Sequence, residues 1–153
     1  MNIKEFDYYI FIDYSENFIG YNIIEKDNIK KLLSKISRFR HYKDLRNKKI
    51  YLKNIRKTIK REKILSYFLK WGIKRMYKNI DIYAEVLEFI KGHADCVIFI
   101  SVDDRQFKAF KKLVGFVDGE RILVKKESEL VRGTPEHQIS FVLDNLLNIE
   151  RKK

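Results

Sequence analysis

Cys96-Val97-Ile98-Phe99-Ile100-Ser101-Val102-Asp103-Asp104-Arg105-Gln106-Phe107 is a short apolar, β-rich run that ends on two adjacent carboxylates. Such a run predicts a strand, Asp95 to Val102, buried on both faces and therefore central in a sheet covered by helices. Its end sits at a sheet edge, where side chains of several strands converge. Tyr8 to Ile12 predicts a second strand, and it too ends on an acid, Asp13. In a parallel sheet the two tips share the carboxyl edge, where folds of this class keep their sites. Acids gathered there can hold a divalent metal, so the first expectation is a metal-dependent enzyme.

Working outward, apolar periodicity and glycine punctuation predict alternating strands and helices. Ile29, Leu32, Leu33 and Ile36 mark a helix, Lys49 to Leu52 a strand, and Ile55, Ile59, Leu65, Phe68 and Leu69 a second helix capped by Gly72. Ile73 to Tyr77 is the next strand, and Asp81 to Lys91 a helix closed by Gly92. Beyond the central strand, Arg105 to Val114 reads as a helix ended by Gly115, Arg121 to Val124 as the fifth strand, and Thr134-Pro135 as the opening of a last helix. The fold class expected is single-domain α/β, a largely parallel five-stranded sheet with helices on both faces. One alternative changes the sheet. If Phe18 to Ile24 returns antiparallel to the first strand, the sheet is mixed, as in RNase H-like exonucleases.

The 153 residues suit one core, and 45% hydrophobic residues with a single Pro leave no low-complexity tract. The single Cys96 lies inside the apolar strand and can form no internal disulfide, which predicts a packing role and a reducing compartment. No apolar stretch is long enough to cross a bilayer, and Met1-Asn2-Ile3-Lys4-Glu5 lacks the form of a signal peptide, so a cytoplasmic protein with no membrane partner is expected. A homo-oligomer is compatible with the chain. The glycines never cluster into a phosphate-binding loop or a dinucleotide fingerprint, which argues against nucleoside-triphosphate hydrolysis. His41, His93 and His137 are scattered without metal-ligand spacing and read as surface residues.

The net charge of +12 is concentrated in one segment. Lys26 to Lys78 holds 20 Lys/Arg against 3 Asp/Glu, a net +17, while the remainder of the chain is net −5. A general compositional bias would not respect such a boundary, so the segment reads as a surface for a polyanion. Lys48, Lys49, Lys53, Arg56, Lys57, Lys60 and Arg61 are the cations expected to contact a nucleic-acid backbone, RNA or single-stranded DNA. Tyr67, Trp71 and Tyr77 fall in the same segment; they could stack on bases, but Trp71 at helical spacing reads as core.

Leu69-Lys70-Trp71-Gly72-Ile73-Lys74-Arg75-Met76-Tyr77-Lys78-Asn79-Ile80-Asp81-Ile82, followed by Ala94-Asp95-Cys96-Val97-Ile98-Phe99-Ile100-Ser101-Val102-Asp103, resembles the NYN domains of the PIN-like nuclease superfamily. Tyr9-Ile10-Phe11-Ile12-Asp13 with Glu16 and Asn17 is similar to that family's first strand and tip. The resemblance implies a PIN-like fold and a metal-dependent nuclease using Mg²⁺ or Mn²⁺. Three positions depart from the family pattern: Asn17 stands four residues after Asp13, Val102 replaces a glycine, and Asp103 and Asp104 are adjacent with Phe107 following later.

Phosphodiester hydrolysis needs several acids because the transition state gathers charge around an already anionic phosphorus. A hard cation held by carboxylates screens that charge and acidifies a bound water. Asp13, Asp81, Asp103 and Asp104 are the expected catalytic and metal-binding acids, with Glu85 a further ligand one helical turn beyond Asp81. Glu16 and Asn17 are secondary candidates. Asp81 and one of the Asp103-Asp104 pair equally stand where helix N-caps belong. The sequence therefore supports a metal-dependent nuclease, an RNase H-like single-strand exonuclease, or a nucleic-acid-binding module without turnover.

Overall fold

The computed structural model describes residues 5–117 and 121–153; the opening Met1 to Lys4, inspected above for a leader, lies outside them. β1 (Tyr8–Ser15) is buried along Tyr9 to Asp13, as a strand flanked on both sides and covered on both faces must be. After the two-residue turn Glu16-Asn17 the chain returns as β2 (Phe18–Glu25), antiparallel to β1 with Tyr8 opposite Glu25 and Ser15 opposite Phe18. β3 (Lys70–Arg75) continues antiparallel on the outer side of β2. On the other side of β1, β4 (Cys96–Ile100) and β5 (Ile122–Lys126) run parallel to it. The sheet has five strands in the order β3-β2-β1-β4-β5 and is mixed.

The largely parallel sheet is thus corrected to the mixed one, and the physical reason is the Glu16-Asn17 hairpin. Lys49 to Leu52 is also corrected. It belongs to α2 (Lys48–Arg61), because Leu52, Ile55 and Ile59 recur at helical spacing and are the residues this helix buries. Gly72 does not cap a helix; it lies in β3 opposite Tyr21, where a Cβ would stand 3.1 Å from the Tyr21 ring. Gly115 lies within α4 (Asp104–Val117) rather than ending it. Gly92 is the C-cap of α3 (Asn79–Lys91), and Thr134 caps α5 (Pro135–Arg151) by accepting from the backbone N–H of His137, both as expected. Among the described residues, no helix is long and apolar enough to cross a membrane.

Strand alternation sorts the core into two layers. Ile10, Ile12, Ile98 and Ile100 face α3 and α4. Tyr9, Phe11, Val97 and Phe99 face α1 (Lys26–Leu33), α2 and α5, with Phe11 and Phe99 stacked at 5.6 Å. Asp13 is in phase with Phe11, so its side chain is on the α5 face. Gly20, directly opposite Asp13, lets α5 approach: a Cβ there would meet Ile73 Cγ1 at 3.0 Å and Leu143 Cδ1 at 3.1 Å.

Candidate acidic site at the carboxyl edge

Three carboxylates from distant parts of the chain meet electrostatically on the α5 face. Asp13 comes from the end of β1, Glu127 from the turn that follows β5, and Asp144 from the middle of α5. Asp13 is buried at 8% exposure, and its Oδ1 accepts a 2.8 Å hydrogen bond from the Tyr14 backbone N–H. Burial first, then the charges of Glu127 and Asp144, push its carboxyl well above the usual carboxylate range. Glu127 is also pushed up, chiefly by burial, with the Ser101 hydroxyl and His41 opposing. Asp144 is raised by burial as well, against the Tyr42 backbone N–H, which donates to its Oδ2 at 2.8 Å, and against His41, whose Nε2 lies 3.8 Å from Oδ1.

Ser101 stands at the tip of β4, where its hydroxyl offsets part of the rise in both the Asp13 and the Glu127 carboxyls. A single neutral hydroxyl cannot offset the charge of two crowded carboxylates, so a proton or a cation has to do so. The donor set, hard carboxylate oxygens of raised proton affinity, has the chemistry that suits Mg²⁺ or Mn²⁺. Among the described residues, no three His, Cys, Asp or Glu side chains converge as a ready-made metal cage. The trio are neighbours rather than a closed chelate.

Beside the trio opens a cleft of about 880 Å³, lined by the tips of β4 and β5, the turn before α2 and the first half of α5. Its walls include Arg40, Lys43, Lys126 and Arg132 with His41 and His137. Phe141 separates the two imidazoles, packing edge-on to each. Burial, with Arg132 and His41 nearby, lowers the His137 pKa. His41 is half-buried in the wall of this cleft.

The other expected acids lie elsewhere. Asp103 is the N-cap of α4, its Oδ1 accepting from the Gln106 N–H at 2.8 Å. Asp104 is exposed and ion-paired with Lys126, whose charge lowers the Asp104 pKa. Asp81 is exposed in the first turn of α3 and pairs with Lys74 of β3 at 3.6 Å. Glu85 lies on the α3 face, beside Gly72, where its charge, after burial, raises the Tyr21 pKa. Glu16 and Asn17 form the β1–β2 turn, with Glu16 held by Arg151 at 3.3 Å. The structure joins Asp13 to Glu127 and Asp144, not to this set.

All seven expected nucleic-acid cations are on α2. Six are exposed and Lys48 is half-buried, its ammonium 5.2 Å from the Tyr42 ring. Lys53, Arg56, Lys57 and Lys60 line one shallow groove with the end of α5. Trp71, read as core, is instead 44% exposed on the edge strand β3. The missed acid Asp144 had a visible signal, a carboxylate set among Phe141, Val142, Leu143, Leu146 and Leu147.

No family model matches the chain, and no curated protein sequence matches it. Among solved structures, the chain is similar to a chain of the PCNA:RNase HII complex from Archaeoglobus fulgidus, with 11% identity and a TM-score of 0.48, over 94% of this chain and 71% of that one.

Proposed function

We propose that this chain is a metal-dependent nuclease that hydrolyses phosphodiester bonds of RNA or single-stranded DNA on an RNase H-like sheet. The observation that carries the reading is the trio of carboxylates, raised in proton affinity and set at a sheet edge beside a cationic cleft. The strand directions accord with the mixed-sheet alternative drawn from the sequence. The segments that carry the NYN resemblance lie on that same sheet, at the tip of β1, along β3 into α3, and at the tip of β4.

Asp13, Glu127 and Asp144 are the residues that would hold Mg²⁺ or Mn²⁺. Bound there, the cation would neutralise charge on the phosphoryl group and acidify a water. The chain's own residues do the rest. Arg40, Lys43 and Arg132 hold phosphates in the cleft, and the α2 cations extend that grip along the backbone without reading sequence. His41, 3.8 Å from Asp144, orients that carboxylate and shares its charge. Ser101, at the tip of β4, lowers the proton affinity of both Asp13 and Glu127.

The test is incubation of labelled RNA and single-stranded DNA with Mn²⁺ or with EDTA. Wild type is expected to cut only with the metal. Asp13→Asn and Asp144→Asn are each expected to lower the rate by roughly 10²-fold or more, the scale seen when one electrostatic group of a site is removed. Asp103→Asn, which keeps a capping side chain, is expected to cut near the wild-type rate. Full activity in the Asp13 and Asp144 variants would end the proposal.

A further inference from the structure

The carboxyl edge holds a second concave surface, at the opposite end of α5 from the cleft. β1 ends there, β2 begins there and β3 ends there, so it shares the edge with the tips of β4 and β5. The first half of α5 walls the cleft, Asp144 lies midway, and Arg151 walls this second hollow of about 650 Å³. A 17-residue helix spans about 25 Å, so the two concavities lie within that length of each other along α5, with Asp144 between the residues that wall them.

The hollow pairs an aromatic face with cations. Tyr77 is 78% exposed, yet it is not loosely tethered: its 3₁₀ turn, Met76–Lys78, is tied to the hairpin by the Met76 N–H donating to the Asn17 carbonyl at 2.6 Å. The Lys78 ammonium stands 5.9 Å from the Tyr77 ring, and the Arg75 guanidinium lies 5.1 Å from the ring of Phe18 in the same wall. Lys74, Arg151 and Lys153 of this wall are ion-paired, to Asp81, Glu16 and Glu150. Among the described residues, Arg75 and Lys78 have no such partner and are exposed, so their charge is available to an incoming anion.

We infer that this hollow is a subsite for single-stranded nucleic acid, in which a base stacks on Tyr77 and the adjoining phosphates meet Arg75 and Lys78. The inference rests on the nuclease reading for the identity of the ligand. A presented phenol ring flanked by cations suits a strand whose bases are unstacked, because stacking needs a free base face while the phosphates follow the charge. A duplex offers the phosphates and withholds the face. The strand then runs from Tyr77 past Asp144 to the cleft, which places the scissile phosphate at a fixed remove from the anchored base.

Fluorescence anisotropy with short labelled single-stranded RNA, in EDTA so that nothing is cut, tests the subsite. Tyr77→Ala is expected to weaken binding about tenfold, from the loss of one stacking partner, and Tyr77→Phe to bind like wild type. Lys78→Ala is expected to weaken binding severalfold and to flatten its salt dependence. An RNA duplex, which offers phosphates and no free base face, is expected to bind wild type, Tyr77→Ala and Tyr77→Phe equally and Lys78→Ala more weakly. Wild-type affinity of both Tyr77→Ala and Lys78→Ala for the single strand, or a loss in Tyr77→Ala as large for the duplex as for the single strand, overturns the subsite. Cleavage in Mn²⁺ with no Tyr77 effect would remove the subsite and leave the nuclease; a Tyr77 effect with no cleavage would do the reverse.

Discussion

The two faces of the sheet are covered alike and filled differently. Toward α3 and α4 the buried side chains are hydrophobic, Ile10, Ile12, Ile98 and Ile100 among them. Toward α5 lie all the buried polar and charged residues of the described chain: Asp13 and Asn22 on the strands, and Ser140, Asp144, Asn145 and Asn148 on α5 itself. Burying such groups costs stability unless each finds a partner. Several do. Asn148 donates to the Asp144 carbonyl, and Asn145 donates to the carbonyls of Phe141 and Arg40. Both amide atoms of Asn22 and the Asn145 oxygen have none. One face is a scaffold, and the other carries strain that a purely structural layer would have no reason to keep.

The largest expected effect separates the faces by stability. Ile98→Ala, on the dry face, should cost about 2–5 kcal/mol, the range for truncating a fully buried aliphatic side chain. Asn22→Leu, on the other face, should not destabilise and should raise the denaturation midpoint, because it removes two unpaired buried groups and keeps volume. Urea unfolding of both variants reads this directly. A loss of more than about 1 kcal/mol in Asn22→Leu would show that the amide is partnered and that the asymmetry is smaller than drawn.

A middle-sized effect probes how close α5 sits over Asp13. The Cβ in Gly20→Ala is tight against the Ile73 and Leu143 side chains and the Gly72 carbonyl at 3.1 Å, so these neighbours must shift by a few tenths of an ångström, those of β3 and α5 among them. Overpacking of this kind costs about 1–3 kcal/mol. Because the displaced helix carries Asp144, the variant is also expected to lose metal-dependent cleavage beyond what its stability explains. Gly115→Ala is the matched control, with nothing within 4 Å of its Cβ, and should stabilise α4 by roughly 0.5–1 kcal/mol.

How much of this was legible follows from what each feature depends on. Asp13 was readable because a strand ending on an acid is a local pattern, and the capping role of Asp103 was readable because caps are local too. The second strand was readable only as an alternative. Its turn, Glu16-Asn17, has no glycine, and Glu16 takes the left-handed conformation at φ 50 without the residue type that announces it. With that hairpin left as the alternative, Lys49 to Leu52 looked like the strand needed to complete five, although Leu52, Ile55 and Ile59 already spelled out a helix face. The partnership of Asp13 with Glu127 and Asp144 depends on strand order and on which side α5 packs, and no window of sequence contains either. Asp144 itself was visible as an acid in an apolar helix; what could not be read was that its side of the helix faces inward.

The smallest effect tests the charge on the polar face by pH. The Asp13 carboxyl is raised in the folded protein, by burial first and then by Glu127 and Asp144, so folding favours its protonated form. Its contribution to stability is fully present below the ordinary carboxylate range and is lost as pH rises through the folded value. Above that value wild type carries a buried, crowded carboxylate, and Asp13→Asn carries none. The variant should therefore melt higher than wild type at neutral pH, with each kcal/mol of relief worth about 2–4 °C in a chain of this size. The gap should close as pH falls below the ordinary carboxylate range. Mn²⁺ should narrow it from the other side, by raising the wild-type melting temperature and leaving that of Asp13→Asn unmoved, since a cation that binds the folded state stabilises only the protein able to hold it. A variant that melts lower than wild type at neutral pH would mean that the Tyr14 hydrogen bond to Asp13 outweighs its repulsion, and the polar face would then be held together by its acid rather than strained by it.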